Sequence, residues 1–204
     1  MSGPASTAGY AEEAADLFLR YEKRDPAAVH APWAEFIPAP PARILDIGAG
    51  TGRDAGWFAR LGHSVLAVEP VEELRTGAAK LHPEPEITWL EDALPDLAAT
   101  RARGETFDMI LMQAVWMHMT ETERATGMAH IASLLKPGGR LFMSQRHGPI
   151  PEGRRMFDIS GEETIGLAGP LGLTNLFHER TGSIQAENMA RGIEWTKLVF
   201  EKTS

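Results

Sequence analysis

Three glycines, Gly48, Gly50 and Gly52, alternate with small residues directly after an apolar run, in the stretch ILDIGAGTG. Because glycine has no side chain, the backbone there can approach a polar ligand closely, and a helix beginning after the turn presents free N–H groups. Asp46 stands two residues before the first glycine, and Glu69 ends the next apolar run. This pattern predicts a nucleotide-type ligand at the turn, with two carboxylates nearby.

Several nucleotide-binding turns share this outline, and the residues around Gly52 help to separate them. A phosphate-binding P-loop requires a lysine after its last glycine, but Gly52 is followed by Arg53, so that interpretation fails. A dinucleotide fingerprint counted from Gly48 has Arg53 in place of its third glycine. Counted from Gly50, it reaches Ala55 and matches a permitted variant, so an NAD(P)-dependent Rossmann oxidoreductase stays an alternative.

The elements that position these residues alternate along the chain. Short apolar runs predict strands, and segments with helical spacing of apolar residues separate them. The predicted strands are 43–47, 64–69, 86–90, 107–112 and 140–145, and the helical segments between them are 55–61, 71–81, 94–100 and 121–135. Such alternation predicts a parallel sheet with helices on both faces.

The two ends of the chain have a different character. Residues 10–24 have the apolar spacing of an amphipathic helix, and four prolines between Pro32 and Pro41 predict a stiff connection into the first strand. Near the other end, 173–180 and 192–201 read as strands that are joined by a short connection. We expect these two strands to pair antiparallel.

Composition excludes several classes of function. The chain has 204 residues, a formal charge of −8 and no cysteine, so it lacks thiolate nucleophiles and cysteine ligands for metals. The seven histidines have no metal-ligand spacing, and we predict no metal site. An acidic protein is a poor partner for nucleic acid. Without a membrane span or a signal peptide, we expect a cytoplasmic protein that does not bind membranes.

The motifs resemble those of the class I S-adenosylmethionine-dependent methyltransferases. LDIGAGTG is similar to that family's motif I, whose pattern is acid-x-G-x-G-x-G, and later matches follow in order as VLAVEP, EDALP, FDMILMQAVWMHM and LLKPGGRLFMS. They cover roughly 43–145, and VWMH and RHGPIP also resemble bacterial proteins described only as methyltransferases. The resemblance implies a Rossmann-like fold with a seven-stranded, mostly parallel sheet of order 3-2-1-4-5-7-6. Its strand 7 is antiparallel, and helices cover both faces.

The resemblance also implies a division of the chain and a cofactor site. We expect one domain over 1–204, with a helical cap and linker at 1–41, a cofactor-binding core at 42–148 and a substrate-side part at 149–204. The cofactor would be S-adenosylmethionine, with S-adenosylhomocysteine as product. Glu69 would accept hydrogen bonds from the ribose hydroxyls, and Asp92 would hold the adenine amino group. The expected cofactor-binding residues are Asp46, Gly48, Ala49, Gly50, Gly52, Arg53, Glu69, Pro70, Asp92, Ala93 and Gln113.

The expected activity is methyl transfer to the oxygen or nitrogen of a small-molecule acceptor, because QAVW stands where enzymes that methylate DNA or protein amides carry N-P-P-[YF]. Candidate bases are His147 and His118, although a buried, hydrogen-bonded role is the alternative for His118. Candidate acceptor contacts are Arg146, His147 and Trp116, and Tyr10 and Tyr21 are candidate cofactor contacts on the N-terminal helix. We expect a monomer or homodimer. A non-catalytic binding domain with this fold is a further alternative.

Overall fold

The computed structural model describes residues 5–183 and 185–203. A single seven-stranded sheet runs through it, in the order β3-β2-β1-β4-β5-β7-β6, with β7 antiparallel to both of its neighbours and the other pairings among β1–β5 parallel. The expected strand order is therefore confirmed. The strands are β1 (Arg43–Ile47), β2 (Ser64–Val68), β3 (Ile87–Leu90), β4 (Phe107–Gln113), β5 (Leu135–His147), β6 (Leu173–Gly182) and β7 (Glu194–Lys202).

Helices occupy the connections between strands. They are α1 (Ala14–Tyr21), α2 (Pro26–His30), α3 (Arg53–Arg60), α4 (Glu72–Leu81), α5 (Ala98–Ala102), α6 (Glu121–Leu134), α7 (Gly161–Ala168) and α8 (Ala186–Ala190). Short 3-10 turns lie at Ala5–Thr7, Ala31–Phe36, Trp116–His118 and Gly169–Leu171. Among the residues so described, no helix is both long and apolar enough to cross a membrane.

Apolar clusters cover both faces of the sheet. Since side chains alternate along a strand, Leu45 and Ile47 of β1 belong to one cluster while Ile44 belongs to the other. The first cluster includes Ile131 of α6, and the second includes Phe58 of α3. Packing of this kind fixes the sheet as a rigid support, so that the loops at the carboxyl ends of the strands hold defined positions.

Local sequence explains where α6 begins. The Thr120 side chain accepts a hydrogen bond from the backbone of Glu123, and Glu123 accepts one from the backbone of Thr120 at 2.7 Å. This reciprocal arrangement is a capping box, which satisfies two N–H groups that have no partner within the helix. The T-x-x-E spacing in the sequence predicts this helix start, and the structure has it at the expected residue.

The proline-rich connection before β1 contains the 3-10 turn Ala31–Phe36, with Pro32 in its first turn, a position that suits proline. Four expectations about element boundaries need correction. The N-terminal helix is shorter than 10–24, and α5 begins later than residue 94. β5 starts at Leu135, includes the KPGG segment and ends at His147. A short helix, α8, interrupts the connection between the last two strands.

Candidate active site

A cavity of about 910 Å³ opens at the carboxyl ends of β1, β2 and β4, where ligands of open α/β sheets bind. The glycine turn after β1 forms its floor, and residues of the N-terminal segment, β5, β6 and β7 complete its walls. The following predicted residues line it: Asp46, Gly48, Ala49, Gly50, Arg53, Glu69, Pro70, Asp92, Ala93, Gln113, His118 and Arg146. The fold thus brings together residues that lie up to a hundred positions apart in the sequence.

The three glycines of the turn all adopt left-handed backbone angles, with φ of 71° at Gly48, 57° at Gly50 and 84° at Gly52. A Cβ on Gly48 would lie 2.5 Å from Val115 Cγ2, and one on Gly52 would lie 2.8 Å from His82 Cδ2. A Cβ on Gly50 would meet only the Gly48 carbonyl, at 3.9 Å. Gly48 and Gly52 are therefore fixed by packing, whereas the open side of Gly50 is available to a ligand.

Asp46 is a buried carboxyl group beside the cavity. Its residue is 2% exposed, and its Oδ2 has no hydrogen-bond partner in the part of the chain that the structure describes. Burial, followed by repulsion from Asp54, raises the pKa of Asp46 well above its usual range. An ionised carboxylate in such a place is unfavourable unless a positive charge reaches it. The turn therefore fits a ligand that carries a cation.

This arrangement predicts that Asp46→Asn stabilises the ligand-free protein. Folding raises the pKa of Asp46 above its unfolded value, so its stabilising contribution is complete below the unfolded pKa and is lost as pH rises through the folded pKa. In thermal unfolding between about pH 5 and pH 9, the Tm advantage of Asp46→Asn should grow with pH, by about 2–4 °C for each kcal/mol removed.

Asp108→Asn is the matched control for that experiment. The Asp108 carboxylate accepts hydrogen bonds from the Lys136 ammonium at 2.8 Å and from the Arg43 backbone at 2.8 Å. Burial opposes its ionisation, but these contacts hold the pKa of Asp108 below its usual range, so its substitution should lower Tm at neutral pH. A lower Tm for Asp46→Asn at every pH would instead assign that carboxylate a structural role.

Glu69, at the end of β2, is held rigidly at the cavity edge. One carboxylate oxygen accepts a hydrogen bond from the Gly50 backbone at 2.8 Å, and the other accepts one from the Val71 backbone at 2.9 Å. Burial raises the pKa of Glu69, while these two hydrogen bonds oppose the change. Each carboxylate oxygen retains further acceptor capacity, so the group can receive two hydroxyl donors from a ligand.

Asp92 has a structural task that its sequence context does not reveal. Its Oδ2 accepts hydrogen bonds from the Thr100 backbone and hydroxyl, both at 2.7 Å, and its Oδ1 accepts one from the Ala93 backbone at 2.9 Å. These contacts fix the segment between β3 and α5. Asp92 also lines the cavity, where its remaining lone pairs can accept an amino donor.

Gln113 ends β4 at the opposite edge of the glycine turn. Its Oε1 accepts a hydrogen bond from the Ser144 hydroxyl of β5 at 2.5 Å, whereas its buried Nε2 has no partner among the described residues. Since an unpaired buried N–H costs free energy, this amide is available as a donor to a ligand. The structure therefore supplies both an acceptor and a donor around the cavity floor.

Arg53 belongs to a network of ion pairs and hydrogen bonds that the sequence did not predict. Its guanidinium pairs with Asp54 at 2.7 Å, and Asp54 also contacts the buried His30 ring at 3.1 Å. His30 Nδ1 accepts a hydrogen bond from Trp33 Nε1, which leaves its Nε2–H to donate to Asp54. Burial opposes ionisation of Asp54, but the hydrogen bond from His30 and the charge of Arg53 hold its pKa far below its usual range.

Two predicted acceptor contacts do not reach the cavity. Because β5 continues to His147 and strand side chains alternate between faces, Arg146 points into the cavity and His147 lies on the opposite face. There the His147 ring bonds to the Thr196 hydroxyl at 2.8 Å and to Asp158 at 3.3 Å. Trp116 is fully buried in the core. The roles predicted for His147 and Trp116 do not fit this geometry.

His118 is buried but lines the cavity, and its hydrogen bonds define its tautomer. Its Nδ1–H donates to the Arg155 carbonyl at 2.6 Å, so its Nε2 accepts from the Tyr10 hydroxyl at 3.0 Å. Burial is the main cause that lowers the pKa of His118, with repulsion from nearby arginines adding to it. A neutral imidazole therefore presents its basic nitrogen toward the N-terminal wall of the cavity.

The N-terminal segment forms that wall, and its contacts are not predicted by the sequence. Glu13 pairs with Arg154 at 2.7 Å, and Glu22 accepts a hydrogen bond from the Thr51 hydroxyl of the glycine turn at 2.6 Å. Leu17 packs with residues of α4 in a separate apolar cluster. Glu13 and Glu22 read in the sequence as ordinary solvated positions of an amphipathic helix, which is why no pattern identified them.

Known proteins share both a sequence segment and the fold. Residues 44–139 match a protein family described as Methyltransferase domain. The ubiquinone biosynthesis O-methyltransferase of Xanthomonas axonopodis pv. citri (strain 306) is 35% identical over 106 residues, which cover 50% of this chain and 42% of that protein. An uncharacterized methyltransferase of Mycobacterium bovis is 31% identical over 112 residues, covering 52% and 40%. The chain thus spans less than half the length of these relatives.

Solved structures agree over nearly the whole chain. The 1,6-didemethyltoxoflavin-N1-methyltransferase of Burkholderia thailandensis, crystallised with bound 1,6-didemethyltoxoflavin and S-adenosylhomocysteine, has a TM-score of 0.70 at 24% identity, covering 96% of this chain and 84% of that one. The N-methyltransferase NodS of Bradyrhizobium japonicum WM9 has a TM-score of 0.75 at 16% identity, covering 98% and 100%. The chain therefore has the class I, Rossmann-like fold of these methyltransferase structures. The fold that the motif resemblance implies is confirmed.

Proposed function

We propose that this protein transfers a methyl group from S-adenosylmethionine to a small-molecule acceptor. The observation that carries the proposal is the glycine turn at the carboxyl end of β1, where Asp46 and Glu69 flank the open side of Gly50. Asp46 is buried, and its Oδ2 has no hydrogen-bond partner among the described residues. A cation-bearing nucleoside complements this combination, because it offers a positive charge to one acid and ribose hydroxyls to the other.

The chain's own residues supply the cofactor contacts in this proposal. Asp46 and the Gly50 turn would hold the amino-acid part, Glu69 the ribose, and Asp92 with the Ala93 backbone the adenine. When bound, S-adenosylmethionine supplies an electrophilic methyl group on a sulfonium leaving group. The protein then contributes alignment of the acceptor and exclusion of water. Both tasks suit a cavity whose walls come from the sheet and the N-terminal segment.

The dinucleotide alternative is less compatible with the charges at the turn. A pyrophosphate requires several free N–H groups at a helix N-terminus and no nearby negative charge. Here Asp46 lies buried beneath the glycines, and its Oδ2 has no hydrogen-bond partner among the described residues. Asp54, in the first turn of α3, is already paired with Arg53. The free oxygen of Asp46 therefore favours a cationic ligand over a pyrophosphate.

We propose His118 as the base when the acceptor carries a proton. Its tautomer leaves Nε2 as an acceptor, and the Arg155 carbonyl orients the ring. The Tyr10 hydroxyl donates to Nε2 at 3.0 Å, so the acceptor would displace this hydroxyl or pass its proton through it. His118→Gln should then lower kcat by about 10²- to 10⁴-fold, while S-adenosylmethionine affinity changes by less than about threefold. Because burial lowers the pKa of His118, wild-type activity should persist below about pH 6.5 and decline only at more acidic pH.

His130→Gln is the matched control for His118→Gln. The His130 ring also bonds a backbone carbonyl, that of Pro95 at 2.8 Å, but it does not line the cavity. It should leave kcat unchanged. Equal activities of the two variants and the wild type, measured with an identified acceptor, would remove His118 from the mechanism.

The acceptor atom is proposed as oxygen or nitrogen. The O-methyltransferase name of a relative at 35% identity supports oxygen, whereas the two structural neighbours are N-methyltransferases at lower identity. A small-molecule partner without nucleic acid, a monomeric or homodimeric state, and the division at 1–41, 42–148 and 149–204 stay predictions.

The direct test of this function is transfer of label from methyl-labelled S-adenosylmethionine to a panel of small hydroxyl and amine compounds and to cell extracts. We expect a labelled small molecule that depends on active protein and that disappears with Glu69→Ala. If the cofactor binds but no panel member or extract yields a labelled product, the non-catalytic alternative would replace this proposal.

A further inference from the structure

One wall of the cavity is a continuous sheet face. The antiparallel register places Arg146 of β5 opposite Trp195 of β7, and Ser144 opposite Lys197. β6 extends the same face, with Thr181 opposite Trp195. All five side chains line the cavity. We call this wall, together with residues 183 and 185–193 between β6 and β7, the acceptor wall, because it lies across the cavity from α4 and Glu69.

Several arginines that line the cavity have no carboxylate partner among the described residues. Among the arginines that line the cavity, Arg53 pairs with Asp54 and Arg154 pairs with Glu13. Four others have no ion pair within the described part of the chain. They are Arg20, Arg24, Arg146 and Arg191. Unpaired cations gathered at one cavity are unexpected in a chain whose formal charge is −8.

Arg146 provides most of the evidence for a ligand on this wall. Desolvation, followed by repulsion from Arg191, lowers the pKa of Arg146, so the two guanidinium groups lie close enough to oppose each other's charge. The Arg146 side chain donates to the Pro149 carbonyl at 3.0 Å and contacts Met156 Sδ at 4.0 Å. A guanidinium has five N–H donors in a planar fork, so most of them stay free for a ligand.

Arg24 approaches the same place from the N-terminal segment. Its Nη2 donates to Gln185 at 3.2 Å, while its buried Nε has no partner among the residues that the structure describes. Burial lowers the pKa of Arg24, and repulsion from Arg53 and Arg20 adds to the effect of burial. A second half-buried guanidinium with an unused donor therefore points to the same kind of ligand.

Acidic side chains do not neutralise these cations. On the acceptor wall, burial lowers the pKa of Lys197, and Glu179, which stands opposite it in the strand register, offsets only part of this change. Glu152 lines the rim and is exposed. The other acids that line the cavity either pair with Arg53 and Arg154 or belong to the cofactor side. The acceptor wall therefore has an excess of positive charge.

We propose that the acceptor wall binds an anionic group of the methyl acceptor, a carboxylate or a phosphate, through Arg146 and Arg191, with Arg24 completing the site. This inference rests on the proposed methyl transfer, because it identifies the bound anion as part of the methyl acceptor. Its physical basis is the charge and geometry of the wall. Phe177 and Trp195 also line it and provide an apolar surface for the body of the same molecule. The substrate class is thus a small organic anion.

Ligand-observed NMR on the protein loaded with S-adenosylhomocysteine tests this assignment. The probes are benzoate, phenyl phosphate and neutral benzamide, each at up to about 10 mM. We expect at least one anion to bind about tenfold or more tightly than benzamide. The benzoate and phenyl phosphate arms distinguish a carboxylate from a phosphate site.

Charge-removing variants locate the binding. Arg146→Gln and Arg191→Gln should each weaken anion binding by about 10- to 100-fold, because each removes a charge-assisted contact. Arg180→Gln is the control, since Arg180 lies on β6 outside the cavity and pairs with Glu194 at 2.8 Å. S-Adenosylhomocysteine affinity, measured by calorimetry, should be unchanged in all three variants.

The outcomes separate this inference from the proposed function. Equal binding of benzamide and the anions, binding of none of the probes, or anion binding insensitive to both arginine variants would overturn the anionic acceptor site. If the free protein binds no S-adenosylhomocysteine but still discriminates anions through Arg146, the proposed function fails and the anion site stands.

Discussion

Glu69→Ala is expected to weaken S-adenosylmethionine binding by about 10²- to 10⁴-fold. The two carboxylate oxygens are fixed by the Gly50 and Val71 backbone, so the group needs no rearrangement to receive two ribose hydroxyls. A hydrogen bond to a charged group contributes about 1.5–3 kcal/mol, and two such bonds correspond to that range of affinity. Isothermal titration calorimetry of the variant and the wild type measures the loss.

Two further variants keep this experiment interpretable. Glu72→Ala removes an exposed acid in the first turn of α4, outside the cavity, and should bind the cofactor as the wild type does. Glu69→Gln retains one acceptor oxygen and should give an intermediate loss. Since Glu69→Ala also removes acceptors for two backbone N–H groups, thermal unfolding must show a folded protein. Unchanged affinity in folded Glu69→Ala would contradict the ribose role.

Gly50→Ala is expected to weaken cofactor binding strongly while the protein stays folded. An added Cβ would meet no protein atom closer than the Gly48 carbonyl at 3.9 Å, so it would occupy space on the open side of the turn. Crowding of a fitted site costs about 1–3 kcal/mol or more, and displacement of the turn would add to the loss. We expect at least about a tenfold to 100-fold weaker affinity by calorimetry.

Gly104→Ala separates crowding from backbone strain. Gly104 has φ of 66°, close to the 57° of Gly50, and a Cβ there would meet nothing within 4 Å. Both substitutions should therefore lower the free energy of unfolding by a similar amount, about 1–2 kcal/mol, for a left-handed non-glycine residue. Only Gly50→Ala should affect the cofactor. Equal affinities in the two variants would place the ligand away from Gly50.

Local patterns in the sequence predicted the alternation of strands and helices and the turn that forms the cavity floor. A buried parallel strand reads as an apolar run, and a carboxylate before alternating glycines identifies the turn after β1. The short connection between 173–180 and 192–201 predicted the antiparallel pairing of the last two strands, whereas the strand order of the whole sheet came from the family resemblance. The local patterns are carried by residues close together in the chain, so spacing alone is informative.

The site predictions that do not fit the structure arose where a shift of one residue along a strand decides which face a side chain occupies. His147 and Arg146 are neighbours after the predicted end of a strand, and no local pattern indicates that β5 continues through them. Because side chains alternate along β5, Arg146 points into the cavity and His147 contacts Thr196. The end of a strand depends on its pairing with β7, which is a contact distant in sequence.

The missed contacts share a different cause. Glu22 reaches Thr51, and His30 reaches Asp54, through packing of the N-terminal segment on the glycine turn and α3. Neither Glu22, on a predicted helix, nor His30, two residues before Pro32, belongs to a sequence pattern that indicates these partners. Only the assembled structure shows them, because each joins residues more than 20 positions apart.

The central claim is that the cavity at the carboxyl ends of β1 and β2 binds S-adenosylmethionine. Calorimetric titration of the purified wild type with S-adenosylmethionine, S-adenosylhomocysteine, NAD and NADP tests it most directly. We predict one molecule of S-adenosylmethionine or S-adenosylhomocysteine per chain, with nanomolar-to-micromolar affinity, and no binding of either dinucleotide. Binding of NAD or NADP in that range, without binding of S-adenosylmethionine, would contradict the claim.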